Sequence, residues 1–119
     1  MARQIEGPVL TGTAAGAIGI HLRVKTIGAL VVAGVGATDE PVELGTLEKA
    51  SFAANDVVPI RSRNAPGTVK MVAAGAHSAG ATIYGAASGK ISTTVSGSPL
   101  GIQLEASTAD GDIVEVLRY

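Results

Sequence analysis

The residue pattern predicts a mainly β fold: a small single-domain β-sandwich or β-barrel with a flexible N-terminal arm and at most one short helix. Three observations predict it. Apolar and polar residues alternate over short stretches, as they do along half-buried strands. Sixteen glycines separate those stretches at short, irregular intervals, as the tight connections of an all-β fold require. The chain is 46% hydrophobic but only 3% aromatic, so its core is built from Val, Ile, Leu and Ala rather than from rings. The 119 residues fit one domain, divided into an arm over 1–16 and a β domain over 17–119. A domain this short buries roughly two thirds of its unfolded surface, which gives self-association a physical motive.

Taken in order, Met1 to Gly16 carries Pro8, three glycines and too little periodicity to specify an element. Its apolar residues Ile5, Val9 and Leu10 could dock on a neighbour as an added strand, and the alternative is a frayed tail. From Ile18 the pattern alternates, with Ile18, Ile20, Leu22, Val24 and Thr26 on one face and His21, Arg23 and Lys25 on the other. Ala29 to Ala33 reads as a second strand, bounded by Gly28 and by Gly34 and Gly36. Between Thr38 and Asn55, Leu44, Leu47, Ala50 and Ala54 fall near helical spacing, and this is the one segment that could hold a helix. Val57 to Arg63 returns to strand. The turn residues Asn64-Ala65-Pro66-Gly67 then join it to Thr68 to Ala73 as a hairpin.

After Gly75 the signals shorten. Ala81 to Tyr84, Lys90 to Val95, Leu100 to Glu105 and Asp112 to Leu117 read as strands, with turns at Ser88-Gly89, Gly97-Ser98-Pro99 and Asp110-Gly111. The glycines follow no fixed period, and no internal repeat is read from them.

Composition excludes several function classes. Nine basic and ten acidic residues give a net charge of -1 with no block of one sign, so nucleic acid and membrane surfaces are not expected partners. The absence of cysteine rules out disulfides, thiolate metal sites and a thiol nucleophile. The longest apolar run, Ala29 to Ala33, is far short of the ~20 residues of a membrane span, and Met-Ala-Arg-Gln-Ile-Glu is not a secretion signal. A soluble protein made in the cytoplasm is expected.

No catalytic, cofactor or metal site is expected either, nor a small-molecule substrate. His21 and His77 lie in a strand face and a loop, outside any ligand motif, and read as surface or structural residues. Gly85-Ala86-Ala87-Ser88-Gly89-Lys90-Ile91 is one residue too short for a phosphate-binding loop and has Ile91 where a magnesium-binding hydroxyl belongs. It reads instead as a turn with Gly89 at positive φ. Asp110 and Asp112 flank a favoured turn dipeptide, and Asp39, Glu40 and Glu43 read as solvated loop charge. Ser62, Ser78 and Ser88 lie in no nucleophile elbow. Phe52, Tyr84 and Tyr119 are too scattered to stack nucleic-acid bases and read as core or interface packing. Arg61, Arg63 and Lys70 flank the expected hairpin, as a solvated edge or a small positive patch.

One resemblance adds to this reading. The run Val69-Lys70-Met71-Val72-Ala73-Ala74-Gly75-Ala76, then Ala79-Gly80-Ala81-Thr82-Ile83-Tyr84, is similar to the small capsid decoration, or cement, proteins of tailed bacteriophages. Gly89-Lys90-Ile91-Ser92, Leu100 to Ser107 and Asp110 to Leu117 continue the likeness, which covers a little under half the chain. It implies a non-enzymatic homotrimer on the outer surface of the virion head, with the major capsid protein as partner. The family brings no catalytic residues and no residue-level binding motif. Capsid contacts at Arg3, Ile5, Val9 and Leu10 are therefore expected from the arm's composition alone. The alternative is an oligomeric β-barrel adaptor or head-tail component of a virion. A third reading, a small enzyme, would need a polar pocket fed by His21 or His77.

Overall fold

The computed structural model describes residues 9–27, 31–34, 43–62 and 67–118, and they form two β units in series. The first unit holds β1 (Val9–Ala14), β2 (Arg23–Thr26), β3 (Val31–Gly34), β4 (Glu43–Leu47) and β5 (Val57–Ser62). They close into a barrel in the order β1-β3-β2-β4-β5, with β5 pairing back onto β1. Among the described residues of this unit, β1 and β3 pair in parallel and the other neighbours pair antiparallel. Ala14, Val24, Val32, Leu47, Val58 and Ile60 fill the interior together with Ile18. With so few strands the barrel is narrow, and β1 fits because its inward positions include the buried Gly12 and Ala14.

The second unit holds β6 (Thr68–Val72), β7 (Thr82–Gly85), β8 (Ile91–Ser92), β9 (Gly101–Gln103) and β10 (Ile113–Arg118), with a 3₁₀ turn at Ala87–Gly89. Its sheet runs β6-β10-β9-β7-β8, and a parallel bridge from Ala73 to Ile91 curls its two edges together. Met71, Ile83, Ile91, Leu100, Val114 and Val116 form its core.

The two units share one strand topology, which overturns the reading that the chain has no internal repeat. β1 to β5 correspond in order to β6 to β10, with the same neighbours around each sheet. The cross-strand row Arg23, Thr46, Arg61 in the first unit matches Thr82, Ile102, Leu117 in the second. The parallel pair Ala14 and Val32 matches Ala73 and Ile91. Each begins an identical Ala-Ala-Gly-Ala segment whose second N–H donates across the seam at 2.8 Å, Ala15 to Val32 and Ala74 to Ile91. Sequence alone hides the repeat because outward-facing side chains have diverged. What persists is main-chain hydrogen bonding, small residues and a few polar anchors.

Other expectations change for similar reasons. The arm over 1–16 is described only from Val9, and Val9–Ala14 is strand β1, held to β5 over five register pairs, rather than a free segment. The expected hairpin of 57–63 with 68–73 does not form: β5 pairs with β1 and β4, and β6 pairs with β10, because each strand closes its own unit. Its turn, 63–66, lies outside the described residues. In the stretch read as a candidate helix, Glu43–Leu47 is strand β4, since pairing with β2 on one side and β5 on the other outweighs a fortuitous helical spacing. The strand expected from Ile18 to Thr26 starts only at Arg23, because His21 turns the chain at φ 62°. Gly89 has the positive φ expected of it, 74°.

Candidate functional site

Where the two units meet, the chain buries charge. Arg23 was expected on a solvent face, but it is 0% exposed, because the outer face of β2 is covered by the second unit. Its guanidinium donates to the carbonyls of Lys90 at 3.2 Å and Ala86 at 3.0 Å, and to Glu43 Oε1 at 3.2 Å. Arg118, at the end of β10, donates to Glu43 Oε2 at 2.6 Å. Glu43, read as solvated loop charge, is thus a buried carboxylate that bridges an arginine of its own unit to one of the other. Arg118 Nε is buried without a hydrogen-bond partner. Desolvating these groups is costly, and the arrangement holds because Arg23 makes three hydrogen bonds and the Glu43 carboxylate accepts from both arginines.

The close approach depends on Gly89. A Cβ there would lie 3.0 Å from the Arg23 carbonyl oxygen and 3.1 Å from its nitrogen. Its φ of 74° is also costly for any residue with a side chain.

Beside this junction lies a cleft of about 460 Å³. His21, Glu48 and Arg61 of the first unit line one side, and Thr68, Val69, Lys70, Glu105 and Glu115 of the second line the other. Thr68 Oγ1 donates to Glu115 Oε2 at 2.7 Å, and the Glu115 N–H donates to Glu105 Oε1 at 2.8 Å. Burial pushes the His21 pKa below its ordinary value; Glu48 opposes that shift and Lys70 reinforces it. The walls carry both signs of charge, with two of the acids already engaged in hydrogen bonds.

The sequence-predicted residues are dispersed. His77 lies in the second unit, its Nδ1 3.2 Å from Gln103 Oε1, so the two histidines do not share a site. Asp110 pairs with Lys90 at 2.8 Å, whereas Asp112 accepts from the N–H groups of Thr108 and Ala109 at 2.8 and 3.2 Å, so the two carboxylates do not converge. Among the described residues no group of three His, Cys, Asp or Glu side chains could hold a metal ion, and no helix is long and apolar enough to cross a membrane. Arg61 and Lys70 both reach the cleft, while Arg63, Asp39, Glu40 and Tyr119 lie outside the described residues. Phe52 is 82% exposed, so it is not a core residue. Of the arm residues, Arg3 and Ile5 lie outside the described residues, Val9 opens β1, and Leu10 packs against the core of the first unit. The junction residues escaped sequence reading: alternation marks Arg23 as outward, and nothing local says that a second unit covers that face.

No family model matches the chain, and no curated protein matches it in sequence. In structure it is similar to the N base of the head fiber protein gp8.5 of bacteriophage phi29, with a TM-score of 0.75. The likeness covers 93% of this chain and 92% of that one, at 13% sequence identity. At that identity it establishes the fold, a mainly β architecture spanning both units.

Proposed function

We propose that this chain is a non-enzymatic structural protein of a tailed-phage head. The observation that carries the reading is the likeness to the phi29 head-fiber base, which runs through both units rather than one barrel. The decoration-protein resemblance of the second half points the same way from sequence.

In this reading the protein binds the outside of the head as a homotrimer, with the major capsid protein as its partner, and stabilises the shell by bridging subunits. Contacts across subunit boundaries must then be broken before the shell expands or ruptures, so stability rises by linkage. Arg3 and Ile5, ahead of β1, and Val9 at its start are the proposed capsid contacts, while Leu10 is engaged with the core of its own unit. The buried Arg23, Glu43 and Arg118 cluster suits such a role, because it ties the two units together. That the neighbour is the base of a fiber favours a second form of the reading, in which the chain is the pedestal of a head appendage.

The test is to mix the purified protein with expanded empty capsids and image them by electron microscopy. Saturable binding to the head and a raised capsid melting temperature are expected. No binding, with unchanged capsid melting, would remove the reading.

A further inference from the structure

We infer that Arg118, at the end of the second unit's core, anchors a binding site for a carboxylate. The inference goes beyond the proposed function and does not depend on it. Val114 and Val116 face the core of the second unit, and Arg118 lies on their side of β10, two residues further on. It is the polar end of that inward row, and its guanidinium meets the first unit through Glu43. The two arginines of this cluster are not used alike. Arg23 commits all three of its guanidinium nitrogens, Nε to the Lys90 carbonyl, Nη1 to Glu43 Oε1 and Nη2 to the Ala86 carbonyl. Arg118 commits Nη1 to Glu43 Oε2, while its Nε is buried with no partner among the described residues. Nε and Nη2 form one side of a guanidinium, the side whose parallel N–H groups take a carboxylate bidentately.

The surroundings of Arg118 point the same way. Its neighbours across the sheet are glycines, Gly101 in register on β9 and Gly67 one step beyond the Leu117 and Thr68 pair, so no side chain at either position competes for the guanidinium. The Arg118 side chain is 11% exposed, whereas those of Arg23 and Glu43 are fully buried, so Arg118 is the member of the cluster that solvent reaches. Its Nε–H is buried already, and its bond to Glu43 holds the guanidinium in place, so an acceptor that docks there meets little cost of ordering or desolvation on the protein side. Charge sets the ligand class. Arg23, Glu43 and Arg118 bring two guanidiniums together with one carboxylate. One further carboxylate balances them, and its two coplanar oxygens match the fork. A phosphate group carries about −1.5 to −2 near pH 7 and would overshoot. The carboxylate is a free small anion or an acidic side chain of a docked protein.

The experiment titrates the intact chain with sodium acetate, against sodium chloride at equal ionic strength, while the Arg118 Nε–H resonance and the melting temperature are followed. Inorganic phosphate and the variant Arg118→Lys, which keeps the charge but lacks the fork, are run alongside. Acetate should shift the resonance saturably, with half-saturation at about 1–10 mM. Phosphate should bind roughly tenfold more weakly, and the rise in melting temperature with acetate should vanish in Arg118→Lys. A resonance that acetate moves no more than chloride does, phosphate binding as tight as acetate, or a rise in melting retained by a folded Arg118→Lys overturns the inference. If Arg118→Lys misfolds, the titration of the wild-type resonance decides alone. Binding to expanded capsids, with and without saturating acetate, then separates the two sources of the carboxylate. Inhibition by acetate assigns it to an acidic side chain of the shell, and unchanged binding assigns it to a free anion. A chain that binds acetate but no capsid refutes the head-protein reading and leaves this site standing.

Discussion

Ser51 and Ser107 hold the same place in the two units and make the same bonds. The Ser51 hydroxyl donates to the Gly16 carbonyl at 2.7 Å and accepts from the Ile18 N–H at 2.8 Å; Ser107 donates to Gly75 at 2.7 Å and accepts from His77 at 2.9 Å. Each thereby fastens the segment after its Ala-Ala-Gly-Ala turn to the loop that leads into the last strand of its unit. The backbone bridge beside it is reciprocal in both cases, Ile18 with Ser51 and His77 with Ser107. Ser51→Ala and Ser107→Ala each remove the hydroxyl's bond to the Gly16 or Gly75 carbonyl, while the Ile18 and His77 N–H groups keep their backbone acceptors, and each should cost about 1 kcal/mol. Because the serines lie in different units, the double variant should lose close to the sum in thermal or urea unfolding.

The same logic makes the inter-unit cluster sensitive to removal of one partner. Glu43→Ala leaves Arg23 and Arg118 without their shared carboxylate and should destabilise by about 3–5 kcal/mol. Replacing Arg23, Glu43 and Arg118 together by Met, Leu and Met should recover most of that loss, because no charge is then left in the buried site. Chemical denaturation of the single and triple variants checks both statements. A triple variant no more stable than Glu43→Ala would show that the Arg23 bonds to Lys90 and Ala86 are themselves indispensable.

Glycine substitutions should separate local strain from inter-unit packing. Gly111 and Gly89 both have positive φ, 97° and 74°, but a Cβ on Gly111 meets nothing within 4 Å. Gly111→Ala should therefore cost about 1–2 kcal/mol from conformation alone. Gly89→Ala adds the contact with the Arg23 backbone and should cost more, with faster amide exchange at the junction. Gly101→Ala should prevent folding of the second unit, since the added methyl would overlap the Leu117 carbonyl and lie 2.9 Å from the Arg118 Cα.

Acid should weaken the protein through two matched aspartates. The Phe52 and Ala53 N–H groups hold the Asp56 pKa below its usual range, and the Thr108 N–H, Thr108 hydroxyl and Ala109 N–H do the same for Asp112. A depressed folded-state pKa contributes stability that is complete above the unfolded value and lost as pH falls through the folded one, so both contributions fade below about pH 4. His21, depressed by burial, acts in the same direction at higher pH: its contribution begins to fall as pH drops below about 6.5. Unfolding measured from pH 7 to pH 2 should therefore show a gradual loss and then a steeper one. Asp56→Asn with Asp112→Asn should flatten the steep part while leaving the His21 part in place.

The sequence by itself determined the β class, most strand positions and the turns, because alternation, glycine and turn dipeptides act over a few residues. Val58 and Ile60, like Val114 and Val116, face a core because of an alternation visible in the string itself. The Asp110-Gly111 turn and the positive φ of Gly89 are equally local. Only the tertiary structure decided which strands pair, that Val9–Ala14 is barrel wall rather than arm, and that the chain is one unit built twice. It also decided the fate of Arg23 and Leu117: both are outward-facing by alternation, yet one is buried against the second unit and the other is left exposed on it. The physical reason is that side-chain direction is set by neighbours in sequence, whereas burial is set by whatever surface arrives from a distance. That surface is assembled from residues scattered along both halves of the chain.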